Sequence, residues 1–392
     1  MNSEKLWTKD FVTLSVINFL VFLVHLLLMV IIATYALDRF HVSTSMAGLV
    51  ASIFILGALV GRFGTGRVIE DIGSKKVLMA GTIFFIVVVA LYFVSVSLSA
   101  LILIRFLHGI AHGITSTATG TIVAKIIPDK RRGEGIGYYG LSIVLASALG
   151  PFAGILLISH VDFKAVFLVT SAVAVAVFFI AFAVHEPSRT SPEPDDSQPA
   201  KTFRLSDFFE FKAVPISIIA AIIGFSASVV IAFISLYAKE IQLEQAAGLY
   251  FVVNAVASLI SRPVSGRLFD LRGANFVIYP CLFLYAAGML LFSQAGSGPI
   301  LLIAGAIVGV GYGNFMSCAQ AVSLKGVSPH RFGLATATFY VFLDFGIGIG
   351  PYLLGTLVPL TGYRGLYLLM AALGLATIPV YYFFQGKKAK AG

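Results

Sequence analysis

Three residues in one apolar stretch, Arg105, His108 and His112, recur at intervals of three and four and so share one face of a helix. An imidazole can change charge near physiological pH. It can equally serve as a neutral hydrogen-bonding partner, and both readings stand for each histidine here. His25, in an earlier apolar stretch, faces the group if the two segments pack together. A guanidinium among apolar residues needs an anion, a carbonyl or water. Arg105 is therefore either a partner for a negatively charged solute or a tether between its own segment and the one carrying His25. Zinc fits poorly, because no carboxylate or cysteine accompanies the cluster. No metal and no cofactor is expected.

Of the 18 acids, only Asp344 lies deep inside an apolar run. It stands about eleven residues into its segment, roughly 16 Å at helical rise. A carboxylate there is the first candidate to carry a proton, with His25 and His108 next; a satisfied structural aspartate is the plainer reading. Asn18, Asn314, Gln320 and Tyr340 add hydrogen-bonding groups in comparable segments. With His25, Arg105, His108, His112 and Asp344 they make up the expected solute site.

The segments that must position these groups are membrane spans. The chain of 392 residues is 58% hydrophobic and 11% charged, against roughly 25% charged in soluble domains. Runs such as Val77 to Ser95 are long enough to cross a bilayer as helices. Twelve spans are expected, near 11–37, 46–69, 77–96, 98–124, 134–158, 163–185, 213–238, 246–269, 276–293, 299–324, 333–358 and 365–385. The net charge of +9 does not point to nucleic acid, because the basic residues sit in short loops between apolar runs. With the N-terminus cytoplasmic, only Arg39, Lys164, Lys239 and Arg364 fall in outer loops, which places both termini inside. Glu186 to Ala200, with four prolines and four acids, reads as a solvated linker. It divides the chain into bundles 1–185 and 213–392, joined by a cytoplasmic segment 186–212.

The bundles repeat at an offset of 200. Arg62, Gly66, Arg67 and Gly73 match Arg262, Gly266, Arg267 and Gly273; Gly109 matches Gly309; Arg131 matches Arg331; Gly150-Pro151 matches Gly350-Pro351. Six spans separate equivalents, so both bundles share one orientation. The solute site should lie between them near the bilayer midplane. Spans 1, 4, 7 and 10 carry the polar residues and should line a wet cavity, while spans 3, 6, 9 and 12 should face lipid.

Over nearly its full length the chain resembles the major facilitator superfamily. Gly66, Val68, Gly73, Lys75 and Lys76 resemble the family's signature loop, with Glu70 where aspartate is usual and Asp270 in the second copy. Arg105 and Gly109 resemble its arginine motif. Gly137, Gly150, Pro151 and Gly154 resemble the glycine-proline motif of drug:proton antiporters, although Ala146 and Ile155 replace two of its glycines. The resemblance implies an all-α integral membrane protein with twelve helices in two six-helix halves. It further implies a cytoplasmic latch built from Gly66, Glu70, Gly73, Lys75, Lys76, Asp270, Arg131 and Arg331; charges that only fix topology are the alternative. Arg62 and Arg262 would snorkel to the inner surface or join the latch. Gly137, Gly150, Pro151, Gly154, Gly350 and Pro351 would bend and seal an outer gate, or simply pack helices.

The reading that follows is a monomeric transporter, not an enzyme, in a bacterial cytoplasmic membrane. It exports a small organic solute in exchange for protons. Arg105 and the histidines would suit an anion, and the chain also resembles exporters of opine metallophores. Proton-coupled uptake on the same fold is the alternative, and a non-transporting membrane sensor is a remote one.

Overall fold

A computed structural model of the chain describes residues 5–128, 132–185, 209–327 and 332–387; side chains at 67, 70, 71, 132–134, 136, 137, 270, 332 and 333 lie outside the described part. The helices are α1 Lys9–Phe40, α2 Thr44–Ile72, α3 Ser74–Ala90, α4 Leu98–Ile126, α5 Arg132–His160 and α6 Phe163–Phe182. They continue with α7 Val214–Glu240, α8 Glu244–Arg272, α9 Ala274–Ser293, α10 Gly298–Leu324 and α11 Phe332–Tyr381. A 3₁₀ turn, Leu91–Val94, extends α3, and a π turn, Tyr382–Gly386, follows α11.

All of these helices are long and apolar enough to cross a membrane. The last one holds two spans. At Gly362 the backbone takes φ 64° and ψ 176°, a conformation natural to glycine, and the run folds back there. The expected spans 333–358 and 365–385 are the helices on either side of this kink.

Local sequence sets the ends. Thr8, Ser43, Ser97 and Asp162 each accept a hydrogen bond from the backbone N–H three residues on, capping α1, α2, α4 and α6. Gly73 and Gly273, at φ 99° and 81°, make the one-residue turns after α2 and α8. The offset of 200 reappears in these bounds: α2 and α8 run 44–72 and 244–272, and α1 and α7 end at 40 and 240.

Within the first half α2 lies on α4, and within the second α8 lies on α10, with backbones in contact. A Cβ at Gly109 would overlap the Phe54 carbonyl oxygen, and one at Gly309 the Asn254 carbonyl oxygen. α1 and α7 are among the most enclosed helices, whereas large apolar side chains such as Leu168, Phe179 and Phe383 point outward. The halves meet along three lines: α2 on α11, α5 on α8 and α1 on α7. Most of the expected linker, 186–208, lies outside the described residues.

Candidate functional site

The expected site residues fall into two groups. The first is inside the N-terminal half. Arg105, His108 and His112 on α4 are fully enclosed, and His25 on α1 nearly so. His25 stacks on Phe54 with ring centroids 3.9 Å apart and lies 5.2 Å from His112. The Arg105 guanidinium carbon lies 4.9 Å from the centroid of the same Phe54 ring. It donates from Nε to the Val50 carbonyl at 3.1 Å, from Nη2 to the Ala51 carbonyl at 3.0 Å and from Nη1 to the Tyr92 hydroxyl at 3.3 Å. Arg105 therefore ties α4 to α2, not to α1 as the sequence suggested. The reason is that the Val50 and Ala51 carbonyls come within reach where Gly109 lets the two helices close. Tyr92 also meets His108 Nδ1 at 3.0 Å. Three enclosed ring nitrogens, His25 Nδ1, His108 Nε2 and His112 Nδ1, have no hydrogen-bond partner among the described residues.

The second group lies between the halves. Asp344 on α11 accepts a 2.8 Å hydrogen bond from Arg62 Nη1 on α2, an ion pair whose side chains are 22% and 36% exposed. Arg62 does not snorkel to the surface; an acid from the opposite half is nearer. Tyr340, one turn before Asp344, donates to Gln320 Oε1 at 3.2 Å. Its ring borders a cleft of about 780 Å³ between α4 and α11, lined by Ser116, Thr117, Thr121, Lys125 and Thr336. Asn18 and Asn314 stay within their own halves. Asn18 donates to Ser142 on α5 at 2.7 Å, and Asn314 bonds Ser261 and Ser265 on α8, each at 2.8 Å.

The cleft lies at the end of the bundle that carries the Gly73 turn and both terminal helix ends. At the opposite end the halves are joined. Thr34 and Ser235 share a hydrogen bond of 3.0 Å, Ser235 donates to the Val30 carbonyl at 3.0 Å, and Ser45 donates to the Tyr352 carbonyl at 3.1 Å. Lys239 and Asp38 approach to 4.0 Å.

A bundle of two repeated halves, joined at one end and bordering a cleft at the other beside a partly exposed ion pair, is the architecture expected of a carrier. The sequence profile of the Major Facilitator Superfamily matches residues 14–331 and again 216–392. The chain belongs to this family. An uncharacterized MFS-type transporter of Methanocaldococcus jannaschii is 25% identical over 92% of this chain and 92% of its own length. The staphylopine export protein of Staphylococcus aureus is 23% identical over 84% of this chain and 85% of its own. A solved bacterial homologue of the human lysosomal transporter Spinster, inward-facing and unoccupied, has a TM-score of 0.81 at 14% identity, covering 97% of each chain. Family and fold together point to a membrane transporter rather than an enzyme.

In this major facilitator protein the signature loop is compact. Lys75 donates to the Phe182 carbonyl at 3.3 Å and Lys125 to Ser74 at 3.2 Å, while Lys76 is exposed and Gly66 has open space around it. Glu70, Asp270 and Gly137 are placed only as helix backbone, and Arg131 and Arg331 lie outside the described residues. The residues expected to form a gate divide by partner. A Cβ at Gly150 would stand 3.0 Å from Leu26 Cβ and one at Gly154 2.7 Å from the Leu27 carbonyl oxygen, so both seat α5 on α1. Gly350 lies against Ser228 of α7. The Pro351 carbonyl, in contrast, faces Gly48 across the halves.

Two residues of the site were not legible beforehand. Tyr92 stands in an apolar run and carries no signal of its own. Arg62 was visible as half of a repeat, but its partner lies 282 residues away.

Proposed function

We propose that this chain exports a small organic solute across the cytoplasmic membrane in exchange for protons, by alternating exposure of a site between the halves. The carrying observation is the Arg62–Asp344 ion pair, which joins α2 to α11 beside a cleft reaching one end of the bundle. A proton taken up at Asp344 Oδ2 removes the carboxylate charge and with it the Coulomb attraction that holds Arg62. The halves are then released at the inner end of this contact. The cleft end is the cytoplasmic one, by the distribution of lysine and arginine. The basic loops beside Glu70 and Asp270 latch that end when the cleft closes. His25 and His108, each with a buried ring nitrogen that has no partner among the described residues, are second candidates for the proton. The Staphylococcus aureus relative, named for export, supports the direction.

The test is transport in proteoliposomes with an imposed pH gradient, using a radiolabelled panel of organic acids, nucleosides and lipophilic cations. Asp344→Asn is expected to abolish pH-driven accumulation while downhill counterflow persists. Full pH-driven accumulation by Asp344→Asn would remove Asp344 from proton coupling and turn attention to the histidines.

A further inference from the structure

The outer end of the bundle, where the halves are joined, holds a cavity of about 440 Å³. The stretches that line it, 30–48, 155–166 and 233–250, are described at every residue. Both halves contribute. Thr34 and Asp38 of α1 stand one turn apart on one face, as do Ser235 and Lys239 of α7. Ile155 and Ile158 of α5 and Phe163 of α6 give the cavity an apolar side. Glu244, the first residue of α8, stands exposed at its rim, while Thr34 and Ile155 are enclosed. A space of this size with an apolar side and a few polar groups suits a small molecule.

Several of the polar groups here have capacity left to accept a hydrogen bond. Ser235 has one hydroxyl proton, and it goes to the Val30 carbonyl at 3.0 Å. In the 3.0 Å contact between Thr34 and Ser235 the donor is therefore Thr34, whose oxygen keeps its lone pairs. His160 Nδ1 donates to the Leu156 carbonyl at 2.9 Å, which in the neutral ring leaves Nε2 to accept. Lys239 faces Asp38 at 4.0 Å, so these two charges offset each other. Glu244 makes no hydrogen bond or ion pair among the described residues. The positive end of the α8 dipole favours its carboxylate but leaves the side-chain oxygens open. With Asp38 and Lys239 balanced, the lining carries the unmatched negative charge of Glu244.

We propose that this cavity binds a small organic cation, a primary ammonium group joined to a compact apolar body. The ammonium donates to the Glu244 carboxylate in a charge-assisted hydrogen bond. The apolar body lies against Ile155, Ile158 and Phe163. An anion would meet two carboxylates against one ammonium and is disfavoured. A neutral alcohol could donate to the same oxygens but would leave the charge of Glu244 unmatched. The cavity lies at the opposite end of the bundle from the cleft beside Tyr340, so this site is additional to the transport reading and does not rest on it.

The experiment is calorimetric titration of the full chain in lipid nanodiscs with benzylamine and with its neutral counterpart benzyl alcohol, each corrected by titration into empty nanodiscs. Benzylamine is expected to bind about tenfold more tightly than the alcohol. Glu244→Gln should remove that preference and leave alcohol binding unchanged. Lys239→Gln should act in the opposite sense: it releases Asp38, and benzylamine binding tightens severalfold. A cavity that was merely damaged would bind benzylamine more weakly in both variants. In the unmodified protein, hydroxyl-radical labelling mapped by mass spectrometry should fall at Ile158 and Phe163 with benzylamine and stay unchanged with benzyl alcohol at the same concentration. That measurement decides the matter even where a variant fails to assemble. Equal affinity for amine and alcohol, a preference that survives Glu244→Gln, weaker benzylamine binding by Lys239→Gln, or unchanged labelling at Ile158 and Phe163 would each overturn the proposal.

Discussion

The two long contacts between the halves are related by the repeat, yet they are built differently. Along α2 and α11 the backbones touch. A Cβ at Gly48 would overlap the Pro351 carbonyl oxygen, and one at Gly355 would stand 2.7 Å from Ser45 Cα. Ser45 adds its bond to the Tyr352 carbonyl, and Arg62–Asp344 fastens the inner end. Along α5 and α8 the matching glycine, Gly248, meets only side chains, Phe152 at 3.4 Å and Ile155 at 3.7 Å. Ile155 stands where Gly355 stands in the other contact. It holds the helices apart, and a cavity of about 440 Å³ lies beside it, lined by Thr34, Asp38, Ser159, Lys239 and Glu244. The comparison teaches that a duplicated fold does not imply duplicated joints. A few substitutions, Gly to Ile at one end and Asp to Val at the other, convert a fastened contact into a loose one. When the halves rock, α5 and α8 should part with less resistance than α2 and α11.

The largest effect should come from wedging the tight contact. Gly48→Ala puts a methyl group into the Pro351 carbonyl, where only backbone can yield. Overpacking of this kind costs roughly 1–3 kcal/mol, and the outer closure should be lost with it. Gly248→Ala, facing side chains at ordinary contact distance, should change stability by less than about 0.5 kcal/mol. Thermal unfolding in detergent reads both, and cysteine cross-linking across the outer end reads closure. Equal costs at the two positions would mean that the contacts are equivalent despite their geometry.

The joints inside each half sharpen the same point. In the first half Arg105 on α4 reaches to carbonyls of α2; in the second Asn254 on α8 reaches to the Gly305 carbonyl of α10 at 3.2 Å. Position 305 matches 105, so the same joint is tied from opposite sides by different chemistry. Arg105→Lys keeps the charge but loses the fork that serves both carbonyls and Tyr92. It should cost about 1–2 kcal/mol, with Asn254→Ala toward the lower end, as measured by unfolding midpoint. Full stability of Arg105→Lys would show that charge alone, not the fork, holds α4 to α2.

Much of this was legible in the sequence because membrane helices leave strong marks. Apolar runs located the spans, and the offset of 200 anticipated helix bounds such as 44–72 and 244–272. Asp344 stood out because a deep acid is costly and therefore rare. What was hidden depended on how the halves meet. No local pattern links Arg62 to Asp344, and an arginine near a helix end reads equally well as snorkelling. The enclosure of His25, His108 and His112 was hidden for a related reason: helical spacing fixes their common face but not whether that face meets Phe54 or a cavity.

The smallest expected effect is also the most direct probe of the asymmetry. Val144→Asp installs on α5 the carboxylate that its counterpart on α11 already has. If the repeat holds in detail, the new group faces Arg262 as Asp344 faces Arg62. The existing pair is partly exposed, at 22% and 36%, so solvent screening limits the gain from such a bond to about 0.5–1 kcal/mol. Functional consequences should exceed the energetic one. Arg262 would be paired, and α5 would be fastened to α8 at the inner end, slowing turnover severalfold on the scale of that energy. A double-mutant cycle of Val144→Asp with Arg262→Gln isolates the pair from the cost of placing an acid in an apolar run. A coupling energy indistinguishable from zero would show that positions 144 and 262 do not face each other. The loose contact would then be a difference in how α5 and α8 approach, and not merely a missing charge.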